Sequence, residues 1–192
     1  MPVVALLAAA IALALALTLS RSVSAGADAG DIASGVSIGM EQVRRFDEFP
    51  LYSAGERVEG LPLLAVLRRE DTASYVSFIY GDCAAEDESG CAPPAEIQVW
   101  PACQRHLALY DSISDGGVVP ERIAMRGVPA ALFDDGTRLE LQTGSSTVVI
   151  FTGSRARSLR MAAALRAVDG SVASGRPLPQ PERDEAGGAL DC

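Results

Sequence analysis

The chain has 192 residues with 16 basic and 25 acidic side chains, so its formal net charge is −9 at pH 7. Proteins bind nucleic acids and anionic membrane surfaces through clustered lysine and arginine, and this balance therefore excludes both as expected partners. The length is enough for one domain with one hydrophobic core. Aromatic residues make up only 5% of the chain, so we expect a core of valine, leucine, isoleucine and alanine.

Residues 1–25 indicate where the chain works. An apolar run from Val3 to Leu19 is interrupted only by one threonine, and its length lies between a signal h-region of about 7 to 15 residues and a membrane-spanning helix of about 20. Val23 and Ala25 fit the small residues before a signal cleavage site. We therefore predict an apolar helix that is either a signal peptide or a retained membrane anchor, with the domain outside the cytoplasm at the cell envelope. Arginines that follow the run favour the opposite orientation.

Residues 26–48 are predicted to form a helical stalk or linker. Four apolar residues recur at spacings of four, four and three, as on one face of a helix: Ile32, Val36, Met40 and Val43. The string Gly35-Val36-Ser37-Ile38-Gly39 also matches the nucleophile elbow of hydrolases, which needs a preceding strand and a following helix inside a large parallel sheet. The upstream sequence predicts no such sheet, so we assign Ser37 no catalytic role.

Residues 49–170 are predicted to form an α+β domain with an antiparallel sheet. Two segments match each other: Glu59-Gly60-Leu61-Pro62-Leu63-Leu64-Ala65-Val66 and Arg126-Gly127-Val128-Pro129-Ala130-Ala131-Leu132-Phe133. Each is followed by two strand-like runs and a helix-like run, so we expect two β-β-β-α pseudo-repeats, residues 57–112 and 121–170, that share one sheet. The expected strands and helix are 75–80, 96–100 and 102–110 in the first repeat, and 138–142, 147–151 and 155–168 in the second.

Local signals are clearest in the second repeat. Asp135-Gly136 between apolar runs predicts a two-residue hairpin turn. Leucine alternates with polar residues over 138–142, which predicts a strand with one face on the core and one in water. Ser154 is expected to cap the final helix and Gly170 to take the left-handed position after its end. The predicted buried stripe of that helix is Met161, Leu165 and Val168.

The four cysteines allow three pairings. A hairpin of 75–80 with 96–100 places Cys83 and Cys91 at its loop end and Cys103 at the far end, about 20 Å away. Cys83 is therefore predicted to pair with Cys91, which leaves Cys103 for Cys192. A free thiol or a link between two chains remains the alternative for this second pair. Residues 171–192, which are rich in proline, glycine and charge, are predicted to be a disordered tail.

Cys103 and His106 lie one helical turn apart and are the residues that come nearest to a chemical site. They resemble half of a zinc site that Cys83 and Cys91 would complete, or a cysteine–histidine nucleophile pair. A second close ligand pair and an orienting acid are both missing, and disulfides are typical of an oxidising compartment. Asp82, Glu86, Asp87 and Glu88 lack the spacing of a calcium loop. We therefore predict no catalytic, cofactor-binding or metal-binding residue.

Six short strings carry a resemblance to a known group of proteins: Phe49-Pro50-Leu51-Tyr52, Gly60-Leu61-Pro62-Leu63, Tyr80-Gly81-Asp82-Cys83, Gly90-Cys91-Ala92-Pro93-Pro94, Gln98-Val99-Trp100-Pro101 and Gly127-Val128-Pro129-Ala130. Together they resemble uncharacterised secreted or membrane-anchored envelope proteins of actinobacteria, over Phe49 to about Val168. The resemblance implies a domain outside the cytoplasm. It implies no activity and no catalytic residue.

The sequence thus predicts a non-enzymatic, extracytoplasmic binding domain whose partner is an unknown protein or a small envelope ligand. Its N-terminal segment is the predicted contact with the membrane. One alternative is a small thiol or hydrolytic enzyme that uses Cys103 and His106. The other is a structural assembly protein that is cross-linked through Cys192.

Overall fold

A computed structural model describes residues 35–70, 74–83, 92–107, 120–183 and 192. The fold is α+β and dominated by antiparallel sheet, as the sequence predicts. The two described α-helices are α1, Met40–Arg44, and α2, Arg155–Ala164. The described strands are β1 Val36–Ser37, β2 Tyr52–Ser53, β3 Arg57–Val58, β4 Leu61–Glu70, β5 Ser74–Tyr80, β6 Ala95–Pro101, β7 Glu121–Met125, β8 Val128–Phe133, β9 Arg138–Thr143, β10 Ser146–Thr152 and β11 Arg166–Ala167.

One large sheet contains nine of the described strands. Its order is β1-β4-β5-β6-β10-β9-β8-β7, with β3 also paired to β4, and every pairing is antiparallel. Strands β4, β5 and β6 form what we call the first half, and β8, β9 and β10 form the second half. The halves meet where β6 pairs with β10. Strands β2 and β11 form a separate small ladder.

Both faces of the large sheet are buried at its centre. On the core face, side chains such as Phe78, Leu141 and Ile150 join Met161 and Ala162 of α2 in one hydrophobic core. The alternate residues point to what we call the second face, where Ser77, Ile79, Glu140, Thr147 and Val149 are also fully buried. The prediction that one face of 138–142 is exposed to water is therefore wrong. Alternating polar residues indicate an exposed strand face only when nothing covers that face of the sheet, and here the second face is covered.

Two tight turns with the same geometry directly precede the first strand of each half in chain order. Glu59-Gly60 joins β3 to β4 and Arg126-Gly127 joins β7 to β8, and all four residues have positive φ, between 50° and 89°. Each turn has two residues, since Val58 pairs with Leu61 and Met125 with Val128, which is the geometry of a type I′ hairpin. Both prolines, Pro62 and Pro129, are the second residue of their strand.

The connection between β8 and β9 has four residues, not the two predicted at Asp135-Gly136. Phe133 pairs with Arg138, and Asp134, Asp135 and Gly136 have φ of 51°, 55° and 86°. Helix α2 explains the difference. Ser158 Oγ donates to the Gly136 carbonyl at 2.8 Å, and a Cβ on Gly136 would lie 2.6 Å from Arg155 Cβ, so a tertiary contact determines the loop.

Helix α2 begins as predicted and ends earlier. Ser154 Oγ accepts from the Arg157 N–H at 3.4 Å and caps the start. The helix ends at Ala164, not at 168, because the chain leaves at Leu165 and β11 pairs with β2. Gly170 has φ of 81° but lies six residues beyond the helix, so it is not its cap. Met161 and Leu165 are fully buried, as predicted for the stripe, and Val168 is partly buried.

The continuous helix predicted for residues 26–48 is wrong where the structure describes them. Val36–Ser37 extends the large sheet by pairing with Leu67 and Arg68 of β4, and only Met40–Arg44 is helical. The edge of β4 provides backbone hydrogen-bonding partners for Val36–Ser37. A helix through this segment would contain two glycines and is less stable than this pairing. Ser37 lies inside a strand, which is not the geometry of a nucleophile elbow.

The predicted signal or anchor, residues 1–25, lies outside the described residues, as do 26–34 of the stalk. Within the described part of the chain, none of the helices is both long enough and apolar enough to span a bilayer. The N-terminal assignment therefore stays a prediction from the sequence.

The tail prediction is wrong for residues 171–183. Leu178 is 3% exposed and belongs to the core, and its N–H donates to the Arg126 carbonyl at 3.0 Å. Thr143 Oγ1 donates to the Pro179 carbonyl at 3.0 Å, while Gly144 accepts from the Glu182 N–H at 2.9 Å. The carbonyls of a proline-rich segment make no hydrogen bonds within the segment. They can therefore accept hydrogen bonds from the turns that the segment crosses. Residues 184–191 lie outside the described ranges.

Candidate binding site

The cysteines form structural links in the described residues. Cys103 is bonded to Cys192 with their Cα atoms 5.2 Å apart, across a separation of 89 residues, which is the predicted pairing. Cys83 is also disulfide-bonded, whereas its predicted partner, Cys91, lies outside the described residues, so that pairing stays a prediction. A disulfide-bonded Cys103 has no thiolate to act as nucleophile or metal ligand.

The surroundings of Cys103 differ from the prediction in a second way. Residues 102–105 form a turn and a bend, not the start of the helix predicted over 102–110; the described chain is helical at Leu107, and 108–110 lie outside the described ranges. His106 is partly buried beside this turn. In the described ranges, no group of three or more histidine, cysteine or acidic residues is placed to hold a metal ion.

A buried ion pair lies on the second face. Glu140 of β9 is fully buried, and its Oε1 accepts from Arg105 Nη2 at 2.6 Å. The Arg105 guanidinium also lies over the Trp100 ring, 5.0 Å from its centroid, and Trp100 stacks on Tyr75 at 3.9 Å. Thr147 Oγ1 donates to the Arg105 carbonyl. These contacts hold the segment after β6 onto the second face, so we interpret this cluster as structural.

A cavity of about 250 Å³ lies on the other side of the molecule, between α1, the loop after β2, β4 and β11. We call it the arginine cavity. Its lining residues are Met40, Arg44, Ser53, Gly55, Glu56, Leu63, Arg166, Ala167, Val168 and Gly170. All of them come from residues 40–170, so elements from both ends of the domain meet there.

The backbone at Gly55 shapes one wall of the arginine cavity. Gly55 has φ of 89°, and a Cβ there would lie 2.1 Å from Arg166 Nη2, so the Arg166 guanidinium packs directly on the bare backbone. The preceding Ala54 N–H donates to the buried Tyr80 hydroxyl at 2.9 Å. Burial raises the pKa of Tyr80 to about 12, with the Ala54 hydrogen bond and the Arg166 charge acting in the opposite direction. The phenol therefore stays neutral and holds this loop in place.

The charges of the arginine cavity are not used by the fold. The guanidinium groups of Arg44 and Arg166 make no hydrogen bond or ion pair within the described residues, whereas those of Arg155 and Arg160 pair with Glu121 and Glu59. The third charged side chain of the lining, that of Glu56, also makes no ion pair in the described part of the chain. Two guanidinium groups at an apolar cavity are suited to an oxyanion that carries an apolar group.

Sequence reasoning missed this site for a physical reason. Arg44 and Arg166 are separated by more than 120 positions, and Arg166 lies within the predicted helix 155–168, which in the structure ends before it. The only local signal was the alternation of Leu165, Arg166 and Ala167, which is the pattern of a strand. The predicted chemical pair, Cys103 and His106, does not line the arginine cavity.

Comparison with known proteins does not change this interpretation. No protein-family model matches the sequence, and no curated protein or solved structure is significantly similar to the chain. The function is therefore argued from the geometry of this chain alone.

Proposed function

We propose that this chain is a non-enzymatic binding domain that works outside the cytoplasm, either tethered to the cell envelope through its apolar N-terminal segment or secreted. The observation that carries the proposal is the arginine cavity. Arg44 and Arg166 line it, and neither guanidinium group forms a hydrogen bond or an ion pair within the described residues. Charged groups that a fold leaves unused at a concave, partly apolar surface are typical of ligand sites.

Two features support a place outside the cytoplasm. The apolar run from Val3 to Leu19, with Val23 and Ala25 behind it, has the composition of a signal peptide or anchor. The bond between Cys103 and Cys192 is of the kind that persists in oxidising compartments and is rare in the cytosol.

The same geometry disfavours the two alternatives. A thiol enzyme needs Cys103 as a thiolate, and a cross-linked assembly needs Cys192 for another chain, but these two sulfurs are bonded to each other. Among the described lining residues of the arginine cavity there is no histidine, cysteine or aspartate. The described lining therefore offers no histidine or cysteine for the thiol chemistry of the enzyme alternative.

We also propose that the domain arose by duplication of one β-β-β-α unit, with residues 57–112 and 121–170 as its two copies. The equivalent turns Glu59-Gly60 and Arg126-Gly127 support this, as does the equivalent register of the prolines, with Pro62 opposite Arg57 and Pro129 opposite Ala124. The order of the two halves, β4-β5-β6 and β10-β9-β8, is that of two copies related by a two-fold axis between β6 and β10.

The test is native mass spectrometry of the full chain purified from the envelope fraction of its own host in a neutral detergent. We expect a small molecule that co-purifies with the wild-type chain and is lost from the double variant Arg44→Gln/Arg166→Gln. The matched control is Arg157→Gln/Arg176→Gln, which removes two arginines that do not line the arginine cavity and should retain the ligand.

Two results would contradict the proposal. One is a ligand retained equally by both double variants, because the arginine cavity would then not be its site. The other is a reactive thiol at Cys103 in the native chain together with catalytic turnover, which would restore the enzyme interpretation.

A further inference from the structure

We infer that the ligand of the arginine cavity is a small monocarboxylate with a short aliphatic body, held with its carboxylate at Arg44 and Arg166. This inference rests on the proposed binding function and adds the chemical class of the ligand. Size, charge and the polarity of the walls together lead to it.

The size of the arginine cavity sets the first limit. A volume of about 250 Å³ equals that of roughly eight water molecules at about 30 Å³ each. A ligand that fills it has on the order of eight to ten non-hydrogen atoms. Nucleotides, folded peptides and whole lipids are larger than this volume, so a ligand that lies wholly inside the cavity is a small metabolite.

The charges set the second limit. Arg44 and Arg166 bring two positive charges and Glu56 brings one negative charge, so the lining is complementary to a ligand with a single negative charge. A guanidinium group matches the planar carboxylate with two parallel hydrogen bonds. A phosphate ester that carries two charges would leave one negative charge uncompensated in the site, and removing a doubly charged group from water costs more than removing a singly charged one.

The walls set the third limit. Met40, Leu63, Ala167 and Val168 give the arginine cavity an apolar lining on three different elements, so the ligand buries an aliphatic body there. Ala167 itself is 5% exposed, and β11 is fixed by its ladder with β2. Arg166, the residue before Ala167, is therefore held on a rigid strand, which lowers the entropic cost of binding.

The experiment is an NMR titration of the arginine Nε–H signals of the full chain in a neutral detergent. The probe is 4-methylpentanoate, which has about eight non-hydrogen atoms. We expect saturable shifts of the Arg44 and Arg166 signals with Kd of about 1 mM or tighter. Arg44→Gln and Arg166→Gln should each weaken binding about tenfold or more, while Arg157→Gln leaves it unchanged. Thermal unfolding of each variant confirms that it is folded.

Two matched ligands make the inference falsifiable. The neutral amide, 4-methylpentanamide, keeps the size and loses the charge, and we expect it to bind about tenfold or more weakly. Isopentyl phosphate keeps the aliphatic body and adds a second charge, and we expect it to bind more weakly than the carboxylate. An amide that binds equally well, a phosphate that binds more tightly, or shifts that the arginine substitutions do not change would overturn the inference.

The failure of this inference is distinguishable from failure of the proposed function. If native mass spectrometry finds a ligand of another class that Arg44→Gln/Arg166→Gln removes, the binding function stands and the monocarboxylate assignment falls. If that double variant retains the co-purified ligand, the binding function at this cavity falls as well.

Discussion

The two halves of the sheet contain the same three-strand arrangement, but the chain leaves them toward opposite faces. After β10, helix α2 packs on the core face through Met161 and Ala162. After β6, the chain turns onto the second face, where Arg105 meets Glu140. The same three-strand arrangement therefore occurs in both halves, whereas the residues that follow its last strand determine which face of the sheet the next segment covers. In the second half these residues form a helix whose buried side includes Met161 and Ala162, and in the first half they form a turn that a disulfide at Cys103 holds.

The largest effect is expected from breaking the contact that sends the first half to the second face. Glu140→Ala removes the buried carboxylate that accepts from Arg105 and that also lies 3.7 Å from Arg138 Nε, and removal of one member of a buried ion pair costs about 3 to 5 kcal/mol of unfolding free energy. Urea denaturation followed by circular dichroism measures it. The control is Glu121→Ala, which breaks the exposed pair with Arg155 and should change little. Equal effects of the two substitutions would show that the Arg105 contact does not hold the segment.

A smaller effect is expected in the first half at alkaline pH. Below pH 10 the Tyr80 phenol is protonated in the folded and unfolded states, so its contribution to stability is fully present. Between pH 10 and about 12 the unfolded phenol loses its proton and the buried one does not, so the unfolding free energy falls by about 2 to 3 kcal/mol.

The comparison that isolates this effect is Tyr80→Phe. The substitution removes the hydroxyl that accepts from the Ala54 N–H and costs about 1 to 3 kcal/mol at neutral pH. It should also flatten the loss of stability between pH 10 and 12, as measured by denaturation at several pH values. If the substituted and wild-type chains lose stability in parallel over that window, Tyr80 is not the group responsible.

The smallest effect is expected at the start of α2, where the second half ends. Ser154→Ala removes the hydroxyl that caps the helix and should cost about 1 kcal/mol, within a range of about 0.5 to 2. Ser154→Gly and Ser154→Asp serve as controls, since glycine costs only a few tenths of a kcal/mol and aspartate keeps the cap. A loss from Ser154→Asp as large as that from Ser154→Ala would argue against the cap.

Elements whose partners are close in sequence could be predicted from it. The strands of both halves, the cap at Ser154 and the prolines at strand starts follow from alternation and turn chemistry, which are local properties. The pairing of Cys103 with Cys192 followed from the predicted hairpin, which placed Cys103 at its far end.

The remaining features depend on contacts that no local pattern encodes. From the sequence, Glu140 is expected to be solvent-exposed, but Arg105 covers it in the fold. Leu178 is expected to be disordered, but its N–H donates to the Arg126 carbonyl. The arginine cavity is the extreme case, because α1, β4 and β11 must all be in place before Arg44 and Arg166 share a surface. Sequence patterns predict which residues form strands, but not which distant segment will cover them.

The loop at Asp134, Asp135 and Gly136 has a consequence for the order of folding. Two non-glycine residues in the left-handed region carry a cost of about 1 to 3 kcal/mol each, and the contacts that offset it come from Arg155 and Ser158 of α2. We therefore expect the final conformation of the β8–β9 loop to form together with the docking of α2, which lies about 20 residues later in the chain.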